Sequence, residues 1–348
     1  MKISDIDKNF SLAEVPQDLE ITYCDAKEQP FSIYGIKFDG TSFKRMPLNI
    51  AQSVSNGVAG LCGNAAGGRL TFETDSPFVV IVAEMKNVGK MPHFTTLGSC
   101  GFDLYADGKY YKSFIPSYGI TDGFAGIVRF PEKRSRRLLL NFPLYSEVVS
   151  LHIGLAPDSA VSAYHPYKDT LPIVYYGSSI TQGGCASRPG NAYQSLIAQM
   201  NHIDFVNLGF SGNAMGESEM AHYIAKLPMS AFVLDYDHNA PSTEHLRKTH
   251  AAFYHIIRKA QPHLPVVMVT RPNFDRSQDT AQRYDIIYET YTKALKNGEP
   301  VQFVDGGSMW DDLSVGAATV DGCHPNDLGF YLMAHSINEA LNKAITAK

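Results

Sequence analysis

Leu171-Pro172-Ile173-Val174-Tyr175-Tyr176-Gly177-Ser178-Ser179-Ile180-Thr181 is a short apolar, β-branched run that breaks abruptly into glycine and serine. Leu171–Tyr176 reads as a buried strand, and Gly177–Thr181 as a sharp turn of small residues opening a helix. The same rhythm recurs downstream. Strands are expected at Ile203–Leu208, Ala231–Tyr236, Leu264–Thr270 and Val301–Asp305, spaced by roughly 30 residues, the length a βα unit needs. Between them, helical periodicity places Leu246, Phe253 and Ile257 on one face, and Tyr284, Ile287, Tyr288, Tyr291 and Leu295 on another. Ser242 suits an N-cap and Gly298 a C-terminal stop. Five parallel strands alternating with helices predict a three-layer α/β/α sandwich, whose ligands bind beyond the carboxyl ends of the strands.

Upstream of residue 160 the chain has a different character. Short β-branched and aromatic runs recur at Ser32–Phe38, Arg69–Thr74, Phe78–Glu84, Gly126–Phe130, Arg137–Phe142 and Val148–Gly154. Turn formers such as Asp39-Gly40, Gly67-Gly68, Asp107-Gly108 and Asp122-Gly123 separate them, which predicts an antiparallel all-β sandwich or jelly roll. The expected organisation is a β-sandwich over 1–158, a linker over 159–170 with two prolines in its neighbourhood, and the α/β domain over 171–348.

Bulk properties exclude several classes. A chain of 348 residues with 44% apolar composition is too hydrophobic for a disordered or fibrous protein. Its 30 basic and 35 acidic residues are dispersed and sum to −5, so neither nucleic acid nor an acidic membrane is an expected partner. Five cysteines at irregular spacing, without a CxxC pair, indicate neither a disulfide framework nor a zinc site, and no cofactor or metal is called for. No segment is apolar enough to span a membrane and the first twenty residues lack a leader's apolar core. The expectation is a soluble protein, cytoplasmic if the chain is complete and periplasmic or secreted if a leader was trimmed; oligomeric state is left open.

The chemistry collects in the loops after the strands. The first supplies the Ser179 hydroxyl; the second, Phe210-Ser211-Gly212-Asn213, a glycine that lets backbone N–H groups approach a ligand. The third, Asp235-Tyr236-Asp237-His238-Asn239-Ala240-Pro241, offers a carboxamide, and the stretch Asp321-Gly322-Cys323-His324-Pro325 follows the fifth with an imidazole and a carboxylate. A hydroxyl, an imidazole, an orienting carboxylate and aimed N–H donors are the parts acyl transfer needs.

This arrangement resembles the four sequence blocks of the SGNH (GDSL-like) hydrolases, over roughly residues 171–343, and the resemblance implies a flavodoxin-like sheet. It makes Ser179 the nucleophile, His324 the general base and Asp321 its partner through the Asp-x-x-His spacing. Gly212 and Asn239 become oxyanion-hole donors together with the Ser179 N–H. Two departures stand out: Ser178 replaces the family's usual aspartate, which suggests a structural hydrogen-bonding role, and Asp237-His238-Asn239 replaces the usual Gly-x-Asn-Asp. Gly101-Phe102-Asp103-Leu104-Tyr105 resembles the signature of the GxDLY domain that precedes a subset of these hydrolases, a subset similar to carbohydrate acetylesterases.

Several residues carry two readings. Asp321 could instead cap the following turn, leaving Asp327 as an N-cap and His324 oriented by a backbone carbonyl. Arg188 could bind a polar acyl or sugar group or pair with a carboxylate, and Asp103 could shape the sandwich or reach the substrate. His245, His250 and His255 have roughly helical spacing but sit on a polar helix, which favours solvation over metal binding. Cys185 reads as packing. The expected activity is a serine esterase removing a short acyl group, plausibly acetyl, from a carbohydrate or other small ester; the alternatives are an acyltransferase using the same acyl-enzyme, or a non-catalytic glycan-binding protein. A lipase fits less well, because no long apolar lid is visible.

Overall fold

The computed structural model describes residues 6, 14–272, 277–310 and 316–346. They form two compact units that are not two consecutive stretches of chain. One comprises residues 1–44, 63–166 and 188–190; the other comprises 45–62, 167–187 and 191–348. The simple division expected from the sequence therefore misses two exchanges: Arg45–Cys62 belongs to the α/β unit, and Arg188–Gly190 to the β unit. Part of the expected linker also pairs as a strand, Val161–Ser162 against Thr74 and Glu73.

The α/β unit is built on a five-stranded parallel sheet in the order Phe205–Gly209, Ile173–Gly177, Ala231–Asp235, Val266–Val269, Val301–Val304. The three inner strands are buried throughout, which is why they read as continuous apolar runs rather than alternating ones. Helices Ser218–Ile224, Thr243–Ala260 and Gln278–Lys296 cover one face, and Tyr193–Asn201 and Asp327–Thr346 the other, giving three layers. On the first face Phe253 stacks on Tyr176, with ring centroids 4.8 Å apart, and each such buried side chain contributes roughly 1.5–3 kcal/mol. Ser242 caps its helix by accepting from the His245 N–H at 3.1 Å, and Gly298 follows the next helix with φ +72°.

Helix Gln278–Lys296 is rotated from its expected facing. Its buried residues include Arg283, Ile286, Ile287, Thr290 and Ala294, whereas Tyr288 and Leu295 are exposed. The tyrosine stripe lies at the edge strand, where Tyr284, Tyr288 and Tyr291 close around Phe303 and no further strand follows among the described residues.

His250 departs from the expectation of a solvated histidine, because it is buried. Its Nδ1–H donates to Thr290 Oγ1 at 3.1 Å, since that hydroxyl itself donates to the Ile286 carbonyl. Nε2 is buried without a hydrogen-bond partner among the described residues, and burial pushes the imidazole down to about 3 from its ordinary 6.5. The unfolded chain thus takes up a proton below pH 6.5 that the folded protein refuses until about pH 3, so stability declines as pH falls through that window. At pH 5 the loss is roughly 2 kcal/mol. His250→Phe, which leaves no orphaned donor, is expected to show a smaller fall in Tm between pH 7 and pH 5 than the wild type, read by calorimetry; an equal fall would clear His250 of the effect.

The β unit pairs its strands antiparallel in two main sheets. One runs Thr22–Asp25, Glu147–Leu155, Phe78–Lys86, Gly123–Arg129; the other runs Val161–Ser162, Arg69–Thr74, Arg136–Asn141, Phe102–Ala106, Lys109–Phe114. Phe72, Ile81, Phe102, Leu104, Leu138 and Leu140 belong to the core of this sandwich. The period of two in strand Phe102–Ala106 sends Phe102 and Leu104 inward and leaves Asp103 and Tyr105 on the opposite face.

Candidate active site

Strand Ile173–Gly177 ends between Gly209 and Asp235 in register, and the next residues turn at once into the short helix Ser179–Gln182. Ser178 caps it, its hydroxyl accepting from the Ile180 N–H at 3.2 Å, which is the structural role its position suggested. The turn leaves the Ser179 side chain half-buried at the carboxyl end of the sheet. Ser179 Oγ–H donates to His324 Nε2 at 2.9 Å, and the His324 Nδ1–H donates to Asp321 Oδ2 at 2.7 Å. The carboxylate thereby selects the tautomer whose Nε2 lone pair faces the serine.

Asp321 makes the turn-capping bonds of one reading and the ring contact of the other. Oδ1 accepts from the backbone N–H groups of Cys323 at 3.0 Å and His324 at 2.7 Å, so one carboxyl group both folds the turn and holds the ring. Burial opposes its charge, but the bonds from His324 and Cys323 outweigh that cost and hold the acid down to about 2. Asp327 bonds elsewhere, its carboxylate accepting from the Ser187 N–H at 2.9 Å and from the Ser187 hydroxyl.

The donor loops are tied together beside this relay. Asn239 Nδ2 donates to the Phe210 carbonyl at 2.8 Å, which fixes the loop after the third strand to the loop carrying Gly212. Gln182 Oε1 accepts from the Ser211 N–H at 3.0 Å and ties the same loop to helix Ser179–Gln182. Gly212 has φ +67°, a conformation costly for any side chain, and the space where a Cβ would project is open. Its N–H donates to no acceptor among the described residues.

Other predicted residues are placed differently. Asp103 is fully buried and Arg188 pairs with it at 2.7 Å, so those two candidates for substrate contact meet each other. Cys185 is buried with φ +72°, and burial, reinforced by Asp321 and Cys323, pushes its thiol up to about 12. No described helix is long and apolar enough to cross a membrane.

Two buried groups escaped the sequence reading. Arg45 reaches the carbonyls of Gly209 and Leu61, and its guanidinium lies 4.5 Å from the Phe210 ring centre, so it braces the strand end that leads into the Gly212 loop. Its only sequence signal is a lone arginine in a half that reads as all-β. Asp235 accepts from Thr181 Oγ1, on helix Ser179–Gln182, and from the Tyr193 hydroxyl, both at 3.0 Å. Burial, aided by Asp237, pushes its carboxyl up to about 7 against the pull of those two bonds.

A serine, a histidine and an aspartate hydrogen-bonded in series stand at the carboxyl end of a doubly wound parallel sheet, the architecture of an α/β hydrolase. Residues 170–342 match the GDSL-like Lipase/Acylhydrolase family, and residues 21–161 match the GxDLY domain, the N-terminus of SGNH-hydrolase-type esterases. The chain belongs to the GDSL-like (SGNH) ester hydrolases, in the subset that carries this N-terminal domain. A structure from Bacteroides ovatus ATCC 8483 described as a GDSL-like lipase is 29% identical, with 94% of this chain and 98% of that one covered and a TM-score of 0.84. The salicylyl-acyltransferase SsfX3 of a tetracycline biosynthetic pathway shares the fold at 18% identity, TM-score 0.77 and coverage of 92% and 97%. A family two carbohydrate esterase from Cellvibrio japonicus does so at 12% identity, TM-score 0.64 and coverage of 94% and 98%. No curated protein matches the chain.

Proposed function

We propose that this protein is a serine esterase that removes a short acyl group, acetyl foremost, from a carbohydrate or similar polyol, through an acyl-enzyme on Ser179. The observation that carries the reading is the relay itself: Ser179 Oγ at 2.9 Å from His324 Nε2, with Nδ1 engaged by Asp321 at 2.7 Å. In the proposed reaction His324 takes the hydroxyl proton as Ser179 Oγ attacks the ester carbonyl. Asp321 steadies the imidazolium that results. The negative oxygen of the tetrahedral intermediate meets the N–H groups of Ser179 and Gly212 and the carboxamide of Asn239. Each aimed donor lowers such a barrier by roughly 3–4 kcal/mol. His324 then returns the proton to the departing alkoxide, and water, activated by the same imidazole, releases the acid. The polyol substrate is supported by the carbohydrate esterases among the chain's fold relatives.

The test is hydrolysis of p-nitrophenyl acetate beside the butyrate and octanoate esters, with and without an added alcohol. The expected result is a kcat/KM that falls with chain length and a product dominated by free acid. Preferential formation of the new ester would replace the esterase with an acyltransferase on the same acyl-enzyme. Failure to turn over any ester would reject both.

A further inference from the structure

Asp103 offers the most demanding side chain in the β unit. It is a fully buried carboxylate, and burying a charge is tolerated only when donors surround it. Oδ1 accepts from Asn141 Nδ2 at 2.7 Å, its cross-strand neighbour. Oδ2 accepts from Arg188 Nη1 at 2.7 Å and from the Gly190 N–H at 2.9 Å. Arg188 is itself pinned, donating to the Tyr105 hydroxyl at 2.7 Å and lying 4.0 Å from the centre of the Tyr110 ring. The fit is tight at Gly190, where a Cβ would stand 2.6 Å from the Tyr105 hydroxyl and 2.7 Å from Asp103 Oδ2. With three donors on two oxygens, little of Asp103 is left for a substrate.

What this pair holds is a piece of the loop that follows the nucleophile. The residue before Arg188, Ser187, donates from its N–H and hydroxyl to Asp327, which stands three positions after His324. At the loop's other end the Gly184 N–H donates to the Ser179 carbonyl at 2.8 Å. The Ser187–Arg188 peptide bond therefore joins two polar networks. One fixes the segment to the start of helix Asp327–Thr346, three residues past the base, and the other fixes it to the GxDLY strand.

We propose that Asp103, the aspartate of the GxDLY signature, is a positioning residue for the Ser179–His324 pair, acting through Arg188 and the loop that Ser187 fastens to Asp327. This rests on the reading of Ser179 and His324 as nucleophile and base. Misplacing reacting groups by about 1 Å costs on the order of 10²-fold in rate. Asp103→Asn is nearly isosteric, and a flip of the Asn141 carboxamide lets it keep the three hydrogen bonds while losing the charge that draws in the guanidinium. Arg188→Met removes the other half of the pair, and Arg188→Lys restores a cation without the second contact to Tyr105.

The experiment measures kcat and KM on p-nitrophenyl acetate for D103N, R188M, R188K and the D103N/R188M double variant. Beside it, the downfield NMR resonance of the His324 Nδ1 proton is recorded without substrate. The expected result is a kcat lowered by about 10²-fold in D103N and R188M with KM near the wild-type value. The double variant should be no worse than the worse single one, and R188K should recover most of the rate. The His324 resonance should shift or broaden in D103N and R188M. An unchanged kcat and unchanged resonance, even with a lower Tm, would reduce the pair to a structural contact and overturn the proposal. A raised KM with kcat intact would overturn it in favour of substrate binding. If the wild type turned over no ester, the serine esterase reading would fail on its own, and the His324 resonance would still decide whether Asp103 sets the geometry.

Discussion

Ser179→Ala is expected to lower kcat on p-nitrophenyl acetate by ~10⁴- to 10⁶-fold, and His324→Ala by a similar factor, with the double variant scarcely worse than either. The non-additivity follows from the geometry, because the hydroxyl at 2.9 Å from Nε2 and the imidazole act as one unit. Without the base the serine is a poor nucleophile; without the serine the base has nothing to deprotonate except water. Residual catalysis would come from the donors around Gly212 and Asn239. Steady-state kinetics and labelling by a serine-directed phosphonate give the check. A Ser179→Ala variant that kept a tenth of the activity would move the nucleophile elsewhere.

Asp321→Asn is expected to cost up to about 10⁴-fold in kcat with Tm little changed. The carboxamide can keep its oxygen on the Cys323 and His324 N–H groups, so the turn survives, but its NH₂ then faces the ring nitrogen that the carboxylate used to accept from. The imidazole must move its proton to Nε2, where it confronts the serine hydroxyl with a donor instead of an acceptor. In the wild type this carboxyl is held down to about 2, so it stays ionised at any pH above that. Its contribution to stability is complete above its ordinary value of 3.8 and is lost only as pH falls through about 2, so it does not set the acid limb of the rate profile. Asp321→Asn with wild-type kcat would leave Asp321 as a turn residue only.

The parts of the molecule that could be read along the chain are those whose physics is local. A buried parallel strand must be a continuous apolar run, and the small residues after it must let a helix begin, so the five strands lie within two residues of their expected places. The relay followed because each of its members sits in such a loop. What escaped depends on partners remote in sequence. Strand Phe102–Ala106 was visible as a motif and not as a strand, since Asp103 interrupts its apolar character and is tolerable only beside Asn141 and Arg188. His250 reads as polar and solvated because nothing in its own helix reports that Tyr236 and Thr290 enclose it. The tyrosines of Gln278–Lys296 have the spacing of a core stripe, but only the sheet order reveals that they face an edge.

The stretch Arg45–Cys62 limits how such a chain can be taken apart. It contributes Met46, Ala51, Val58 and Cys62 to the same apolar cluster as Phe210, Ala214 and Met220, and its arginine satisfies the Gly209 carbonyl. A fragment starting at Tyr167 would keep every strand of the parallel sheet and still be missing a wedge of its own interior. A chimera that borrows its first 160 residues from a relative therefore inherits a foreign brace under the loop that carries Gly212, and the α/β half must fold around an interior it did not bring with it.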